Sequence, residues 1–365
     1  MSVEVEAVGA NPVKLWGLTM EERLRRMARA CKPAVPAGES VLVNLRFAFD
    51  PAWLQLVASS AETVVTREGV PVLARVGPGL RGRIRAAMEQ DGKLEPLAGV
   101  EWIEQERFGE VENKALRKRY QPFMERLTDA TRAGIERTSY HASYKGVTDL
   151  LTKYLWPEWA FSLTRLAARL GLSPNMVTTI GAILCAAAGI TFWHGWYWSG
   201  MAAALAFMVL DTVDGKLARC TLTASWWGNL FDHGIDLVHP LLWWWAWGVG
   251  LEAYGRPLDE RTFKAVMIVL VAGYLAQRLI EGAFILRFGI HIHVWERVDS
   301  DFRLVTARRN PNMVILFVSL VLYAPNAGLV AVAVWTLLCC LFHLVRLLQA
   351  LLARARGRPI ESWLR

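Results

Sequence analysis

Two hydrophobic patterns divide the chain. Before about residue 145 short apolar runs alternate with charged ones, and after about residue 172 long apolar runs dominate. In the first part, SVEVEAVG and ESVLVNLRFAF alternate with the period of strands, while MEERLRRMARAC repeats with the period of a charged helix. PAWLQLVASSA reads as a helix capped by Asp50, with Pro51 at its first position. ETVVTREGVPVLARV reads as a hairpin turning at Glu68-Gly69. This alternation predicts a small soluble α/β domain over residues 1–105. Residues 106–172 are polar and basic, with amphipathic stretches, and predict a linker that ends in a juxtamembrane helix. There Tyr154, Trp156 and Trp159 are interleaved with Lys153, Arg165 and Arg169, the mixture that suits a helix lying on a bilayer.

Residues 173–365 predict an α-helical integral membrane domain. Apolar runs near 175–194, 197–218, 228–250, 262–286, 312–325 and 327–352 are of membrane-crossing length, the fifth being short. Ser173 and Pro174 suit the cap and first position of the first helix. Trp243, Trp244, Trp245 and Trp247 end the third span near one interface. The expected fold is a six-transmembrane-helix bundle preceded by the soluble domain.

Charge refines this picture. Arg219, the Arg287–Arg309 loop and the tail with Arg354, Arg356, Arg358 and Arg365 fall on one side of the bundle, whereas the opposite loops hold only Arg256 and Arg261. The positive-inside bias therefore places both termini on the cytoplasmic side of the inner membrane. The net charge of +8 suits an anionic membrane surface or the handling of phosphates. No nucleic-acid motif accompanies it. The five cysteines have no metal-ligand spacing, and MSVEVEAVGANPVKL lacks the apolar core of a signal peptide.

The chemistry concentrates in DTVDGKLARCTLTASWWGNLFDHGID, residues 211–236. Asp211 and Asp214 share a helix face at i, i+3; Asp232 and Asp236 do so at i, i+4 on the next helix. Bare carboxylates converging in an apolar setting are costly, and divalent metal is the simplest remedy. Hard cations such as Mg2+ or Mn2+ prefer oxygen, and two of them about 4 Å apart can clamp a phosphoryl group. Gly215, Ala218 and Gly228 allow close helix approach and leave room for a diphosphate. Arg219 offers a fork to phosphate oxygens.

In pattern form, D-x2-D-G-x2-A-R-x8-G-x3-D-x3-D, the stretch resembles the signature of the CDP-alcohol phosphotransferase family of membrane enzymes. The resemblance implies a CDP-alcohol donor, a hydroxyl acceptor, two bound metal ions, release of CMP and a homodimer in membrane lipid. Asp211, Asp214, Asp232 and Asp236 match its metal ligands, with Asp236 also at the position of the base that takes the acceptor's proton. Gly215, Ala218, Arg219, Ser225, Gly228, Asn175 and Thr178 match its donor-binding positions. For Asn175 and Thr178, capping and packing would explain the residues equally well. The chain looks closest to inositol-phosphate-type members, some of which carry a nucleotidyltransferase-like domain, and LVNLRFAFDPAWLQLV with VVTREGVPVLARV resembles part of such a domain. The start, VGANPVKLWGL, is not Gly-rich and Asp50 reads as a helix cap, so a degenerate, non-catalytic domain is expected.

Arg303, Arg308 and Arg309 could form a basic acceptor pocket; the positive-inside rule explains the same arginines without a ligand. Lys216 fills a variable position and reads as a surface cation. His233, His239, His291 and His293 read as packing residues, because hard-cation sites seldom need them. The leading function is transfer from CDP-diacylglycerol in phospholipid biosynthesis. A phosphodiester synthase using CDP-inositol and an inositol phosphate is the alternative within the family. A transporter or scaffold keeping the acids as an ion site is the alternative outside it, and Arg219 and Gly215 at fixed offsets argue against that.

Overall fold

The computed structural model describes residues 3–32 and 39–365, apart from the side chains of Asn229 and Asp232. Its first elements are β1 (Val5–Val8), α1 (Met20–Ala30), β2 (Val41–Asn44), β3 (Phe47–Phe49), α2 (Pro51–Ser59), β4 (Thr63–Arg67), β5 (Val70–Arg75), α3 (Pro78–Gln90) and β6 (Glu101–Glu104). A mixed sheet runs β1-β2-β5-β4-β6, parallel at its two outer pairs and antiparallel within. The strand period decides which core each side chain joins. Val41, Val43, Val65 and Leu73 pack with Trp53, Leu54 and Val57 of α2, while Leu42, Val64 and Ala74 pack with Ile84 and Met88 of α3. The β4–β5 turn places Glu68 and Gly69 at φ 52° and 82°, the left-handed pair that a tight two-residue hairpin needs. Asp50 caps α2 by accepting from the Ala52 N–H at 2.9 Å, as its sequence suggests.

The boundary expected at residue 105 is not where the strands stop. β7 (Val111–Asn113) and β8 (Lys118–Tyr120) form a hairpin, and β9 (Met124–Arg126) returns to pair antiparallel with β3. Strands of three residues are too short to carry a readable period, which is why this stretch reads as a basic linker. α4 (Asp129–Ala142) follows, then a single wide turn at 151–155 and α5 (Pro157–Arg169). α5 buries Ala160, Thr164 and Ala167 and exposes Trp159, Leu163 and Leu166, the amphipathic division expected of an interfacial helix.

The remainder is helical: α6 (Pro174–Trp193), α7 (Tyr197–Cys220), α8 (Trp226–Ala253), α9 (Glu260–Phe288), α10 (Arg297–Phe302), α11 (Arg309–Val321) and α12 (Pro325–Ala355). Ser173 caps α6 through the Met176 N–H at 3.2 Å, with Pro174 at its first position. Among the described residues, three helices are long and apolar enough to cross a membrane: α6, α9 and α12, with mean hydropathies of 1.8, 1.6 and 2.3. α11, at 13 residues, reaches only about 20 Å at 1.5 Å per residue. The exposed large apolar side chains among the described residues all lie at or beyond Leu150.

The tryptophans at the end of the third span pack mostly inward. Of Trp243, Trp244, Trp245 and Trp247, all but Trp245 are buried inside the bundle. The Trp243 indole donates to the Cys185 carbonyl at 2.9 Å and Trp247 to that of Pro325 at 3.1 Å, while Tyr197 stacks on Trp247 at 4.2 Å. A tryptophan at this depth is a packing residue with its N–H satisfied, and composition alone does not distinguish it from an interfacial one.

The two parts share one apolar core. Trp16 meets Phe161 of α5 edge-on at 6.2 Å. From α1, Arg23 donates to the Cys220 carbonyl and Arg26 to that of Thr221, each at 2.8 Å. Those carbonyls end α7 and have no partner within their own helix. The positive charges also lie at the negative end of the helix dipole.

Candidate active site

The last turns of α7 carry Asp211, Asp214, Gly215, Lys216, Ala218 and Arg219, and the first half of α8 carries Ser225, Gly228, His233 and Asp236. α6 brings Asn175 and Thr178 from its first turns, and α11 brings Arg309 from its start. These side chains line one polar cavity of about 300 Å³, together with Tyr144, Lys145, Thr148, Asp149, Thr152 and Arg303. Every expected metal and donor residue with a described side chain lines it. Asp232, whose side chain is the one not described, lies one turn before Asp236 on α8.

Contacts within the cavity fix the carboxylates. Asp214 is buried and accepts from the Thr178 hydroxyl at 2.6 Å and from the Gly215 N–H at 2.5 Å. Thr178, expected against the donor, thus serves to orient Asp214. Arg309 bridges α7 and α8, its Nη2 to Asp211 at 2.5 Å and its Nη1 to Asp236 at 2.6 Å. That ties the two halves of the motif through a residue more than 70 positions downstream of Asp236. The Asp236 side chain stays 44% exposed, which leaves it open to a reacting group.

Small residues are needed here for close approach. A Cβ on Gly215 would come within 3.2 Å of the Arg219 guanidinium, and one on Gly228 within 2.9 Å of Asn175 Oδ1. The Ser225 hydroxyl caps α8 through the Gly228 N–H at 3.1 Å and also faces the cavity. Lys216 is not a surface cation. It is 3% exposed, lies 3.0 Å from the centre of the Tyr144 ring and donates to the Ser143 carbonyl at 3.2 Å.

A second polar cavity of about 290 Å³ adjoins the first, sharing Lys145, Thr148, Asp149, His233, Asp236, Arg303 and Arg309. Its further lining includes Arg117, Tyr274, Arg278, Arg308 and Asn310. Of the three arginines grouped from the sequence, Arg303 and Arg309 face both cavities and Arg308 only the second. Arg303 is pushed down to about 9 by burial, with Arg308 adding to the effect, and its Nε and Nη1 have no hydrogen-bond partner among the described residues. Arg308 pairs with Glu281 at 2.5 Å, and Glu281 also holds Arg278 at 3.4 Å.

Glu281, His293 and His343 bring their ligand atoms within 4.8 Å of one another. With two arginines already on the carboxylate, this cluster is an ion-pair network that holds Arg308. His239 packs edge-on against Phe207 and Trp243. Neither Asp149 nor Tyr274 stands out in the sequence. Asp149 accepts from Asn310 at 2.9 Å across 161 positions, and no local pattern encodes such a pairing.

Asp211, Asp214 and Asp236 offer carboxylate oxygens, and no cysteine is among the described residues lining the cavity, which fits a hard divalent cation such as Mg2+ or Mn2+. The small glycines, the Arg219 guanidinium and the polar walls leave room for a phosphate ester beside these acids.

Residues 171–299 match the family model described as CDP-alcohol phosphatidyltransferase. Cholinephosphotransferase 1 of Gallus gallus is 31% identical over 117 residues, 29% of this chain and 34% of its own length. Phosphatidylinositol phosphate synthase of Cutibacterium acnes is 38% identical over 71 residues, 19% of this chain and 33% of its own length. The chain therefore spans about a third of the length of these curated relatives. A crystal structure of Mycobacterium tuberculosis phosphatidylinositol phosphate synthase with CDP-DAG bound superposes with a TM-score of 0.36 at 16% identity, covering 52% of this chain and 92% of that one. The family match begins at residue 171 and leaves the nucleotidyltransferase likeness of the N-terminal region without support.

Proposed function

We propose that this chain, which carries a CDP-alcohol phosphatidyltransferase domain over residues 171–299, transfers a substituted phosphate from a CDP-alcohol to an acceptor hydroxyl and releases CMP. The observation that carries this reading is the meeting of two polar cavities at Asp236, one lined by the motif and the other by cations. The first takes the diphosphate of the donor, against Arg219, Gly215 and the Ser225 end of α8. The second takes the acceptor. Asp236, at the junction, receives the proton of the acceptor hydroxyl as its oxygen bonds to the β-phosphorus and the bond to CMP breaks. Asp211, Asp214, Asp232 and Asp236 would hold the divalent cation, which when bound neutralises charge on the diphosphate.

The donor in this reading is CDP-diacylglycerol. An apolar groove of about 810 Å³ runs between α6 and α8, lined by Ala182, Gly189, Trp193, Leu230, Ile235 and Leu242. It offers acyl chains a path beside the acids, and a water-soluble donor such as CDP-inositol would leave it unused. The acceptor is a phosphorylated alcohol, since Arg278, Arg303 and Arg308 surround the second cavity with cation that Asp149 and Glu281 only partly balance. All six long helices from α6 to α12, α10 apart, lie in the membrane, with α11 meeting the short length by local thinning or by its flanking polar residues. The arginine bias supports placing the cavities on the cytoplasmic face.

The test is metal-dependent CMP release by the purified protein, with CDP-diacylglycerol or CDP-inositol as donor and inositol phosphate, glycerol phosphate, inositol or serine as acceptor. CDP-diacylglycerol with a phosphorylated acceptor should be the productive pair, and chelation should abolish turnover until Mg2+ is restored. Asp236→Asn should lower kcat at least about a hundredfold with Tm unchanged. Near-normal turnover by that variant would remove Asp236 from the role of base.

A further inference from the structure

We propose that Arg117, presented by the β7–β8 hairpin, completes the acceptor's phosphate site, so that a part of the chain outside the family-matched segment selects the acceptor. This rests on the reading of the second cavity as the seat of a phosphorylated alcohol.

Three observations carry it. The first is electrostatic. Arg117 lines the second cavity opposite cations that already have partners: Arg309 is held by Asp211 and Asp236, and Arg278 and Arg308 by Glu281. Among the described residues Arg117 forms no ion pair, and its buried Nε has no hydrogen-bond partner. A buried guanidinium N–H left unmade is costly, and an anion in the cavity would satisfy it.

The second is conformational. Arg117 has φ 51°, in the left-handed region where glycine or asparagine is the usual residue. The turn itself needs no arginine. Its closing bonds are Arg117 N–H to the Lys114 carbonyl at 3.3 Å and Leu116 N–H to Asn113 Oδ1 at 3.0 Å, and these use only backbone and Asn113. A strained position filled by a long cation points to the side chain as the reason.

The third is mechanical. The hairpin is clamped against the segment that follows α4. Gly146 N–H donates to the Leu116 carbonyl at 2.8 Å, and a Cβ on Gly146 would lie 2.6 Å from the Arg117 carbonyl oxygen. Lys118 donates to the Ala142 carbonyl at 2.6 Å. Arg117 is thus set at the cavity wall by a fixed frame.

The experiment is calorimetric titration of the full-length protein in detergent with inorganic phosphate. The variants are Arg117→Gly, Arg303→Gln and Arg119→Gln, the last an exposed residue of the same hairpin. Arg117→Gly should weaken phosphate binding about tenfold, as loss of one charge-assisted contact does. Its Tm should hold or rise, because glycine suits the left-handed turn. Arg303→Gln should weaken binding likewise and Arg119→Gln should not, and CDP with Mg2+ should bind the wild type, Arg117→Gly and Arg119→Gln alike. Should Arg117→Gly fold poorly, Arg117→Asn tests the same contact in a residue that also tolerates the turn. Unchanged phosphate binding by the Arg117 variant, with loss in Arg303→Gln, would overturn the role of Arg117 and leave the acceptor reading standing. A wild-type protein that binds no phosphate would overturn both.

Discussion

Lys118 donates to two carbonyls at the end of α4, those of His141 and Ala142, in a setting where burial pushes it down to about 8 from an ordinary 10.5. The unfolded chain therefore holds that proton more tightly than the folded one. Between pH 8 and 10.5 the unfolded state binds more protons, so stability rises with pH across that window, and below pH 8 the full penalty is present. Lys118→Met removes the titration. The Tm of the wild type relative to this variant should climb from pH 8 to 10; a flat difference would place the proton elsewhere. Asp50 behaves in the opposite sense, burial raising it while the Ala52 N–H and Tyr120 hydroxyl hold the charged form.

At the scale of elements, α8 contains Pro240 four residues after Asp236. Proline has no N–H to return to the carbonyl one turn earlier, so the Asp236 carbonyl lacks its helical partner. The Tyr274 hydroxyl of α9 lies beside the gap, donating to the Leu237 carbonyl at 3.0 Å and reaching the Asp236 carbonyl only at 3.5 Å. Tyr274 is thus a positioning residue for the turn that carries Asp236. Tyr274→Phe should cost about 1 kcal/mol of stability and lower kcat severalfold with the donor KM unchanged. Adding Pro240→Ala, which restores the missing N–H, should recover part of kcat, and no recovery would separate the tyrosine from Asp236. The apolar run over 228–250 passes through Pro240 without a break, and no local signal names the partner of the freed carbonyl, because Tyr274 comes from another helix. The same division runs through the site. The i, i+3 spacing of Asp211 and Asp214, the Ser173 cap and the Glu68-Gly69 turn follow from local geometry. Arg309 between Asp211 and Asp236, Asp149 on Asn310 and Arg117 in the same cavity wall as Arg278 depend on packing across long separations, which no local period records.

For the molecule as a whole, α1 and the end of α7 are joined by two hydrogen bonds in spite of their distance along the chain. Arg23 is 3% exposed and its contact with the Cys220 carbonyl stands between the sheet-bearing region and the helices. Arg23→Ala should leave that carbonyl without a donor and destabilise the protein by about 1–3 kcal/mol, read as a lower Tm of the intact chain. Arg25→Ala, at an exposed position of the same helix, should leave Tm unchanged; equal losses would mean that α1 acts by bulk charge. The contact also sets an order in time. Arg23 precedes Cys220 by 197 residues, and at roughly 5–20 residues per second the ribosome needs about 10–40 s to supply the second partner after the first. During that interval the nascent N-terminal region carries Arg23 without its native partner, although Trp16 gains Phe161 earlier. Synthesis of this chain therefore has a waiting step, and it ends only when the helix bearing the first two aspartates has been delivered.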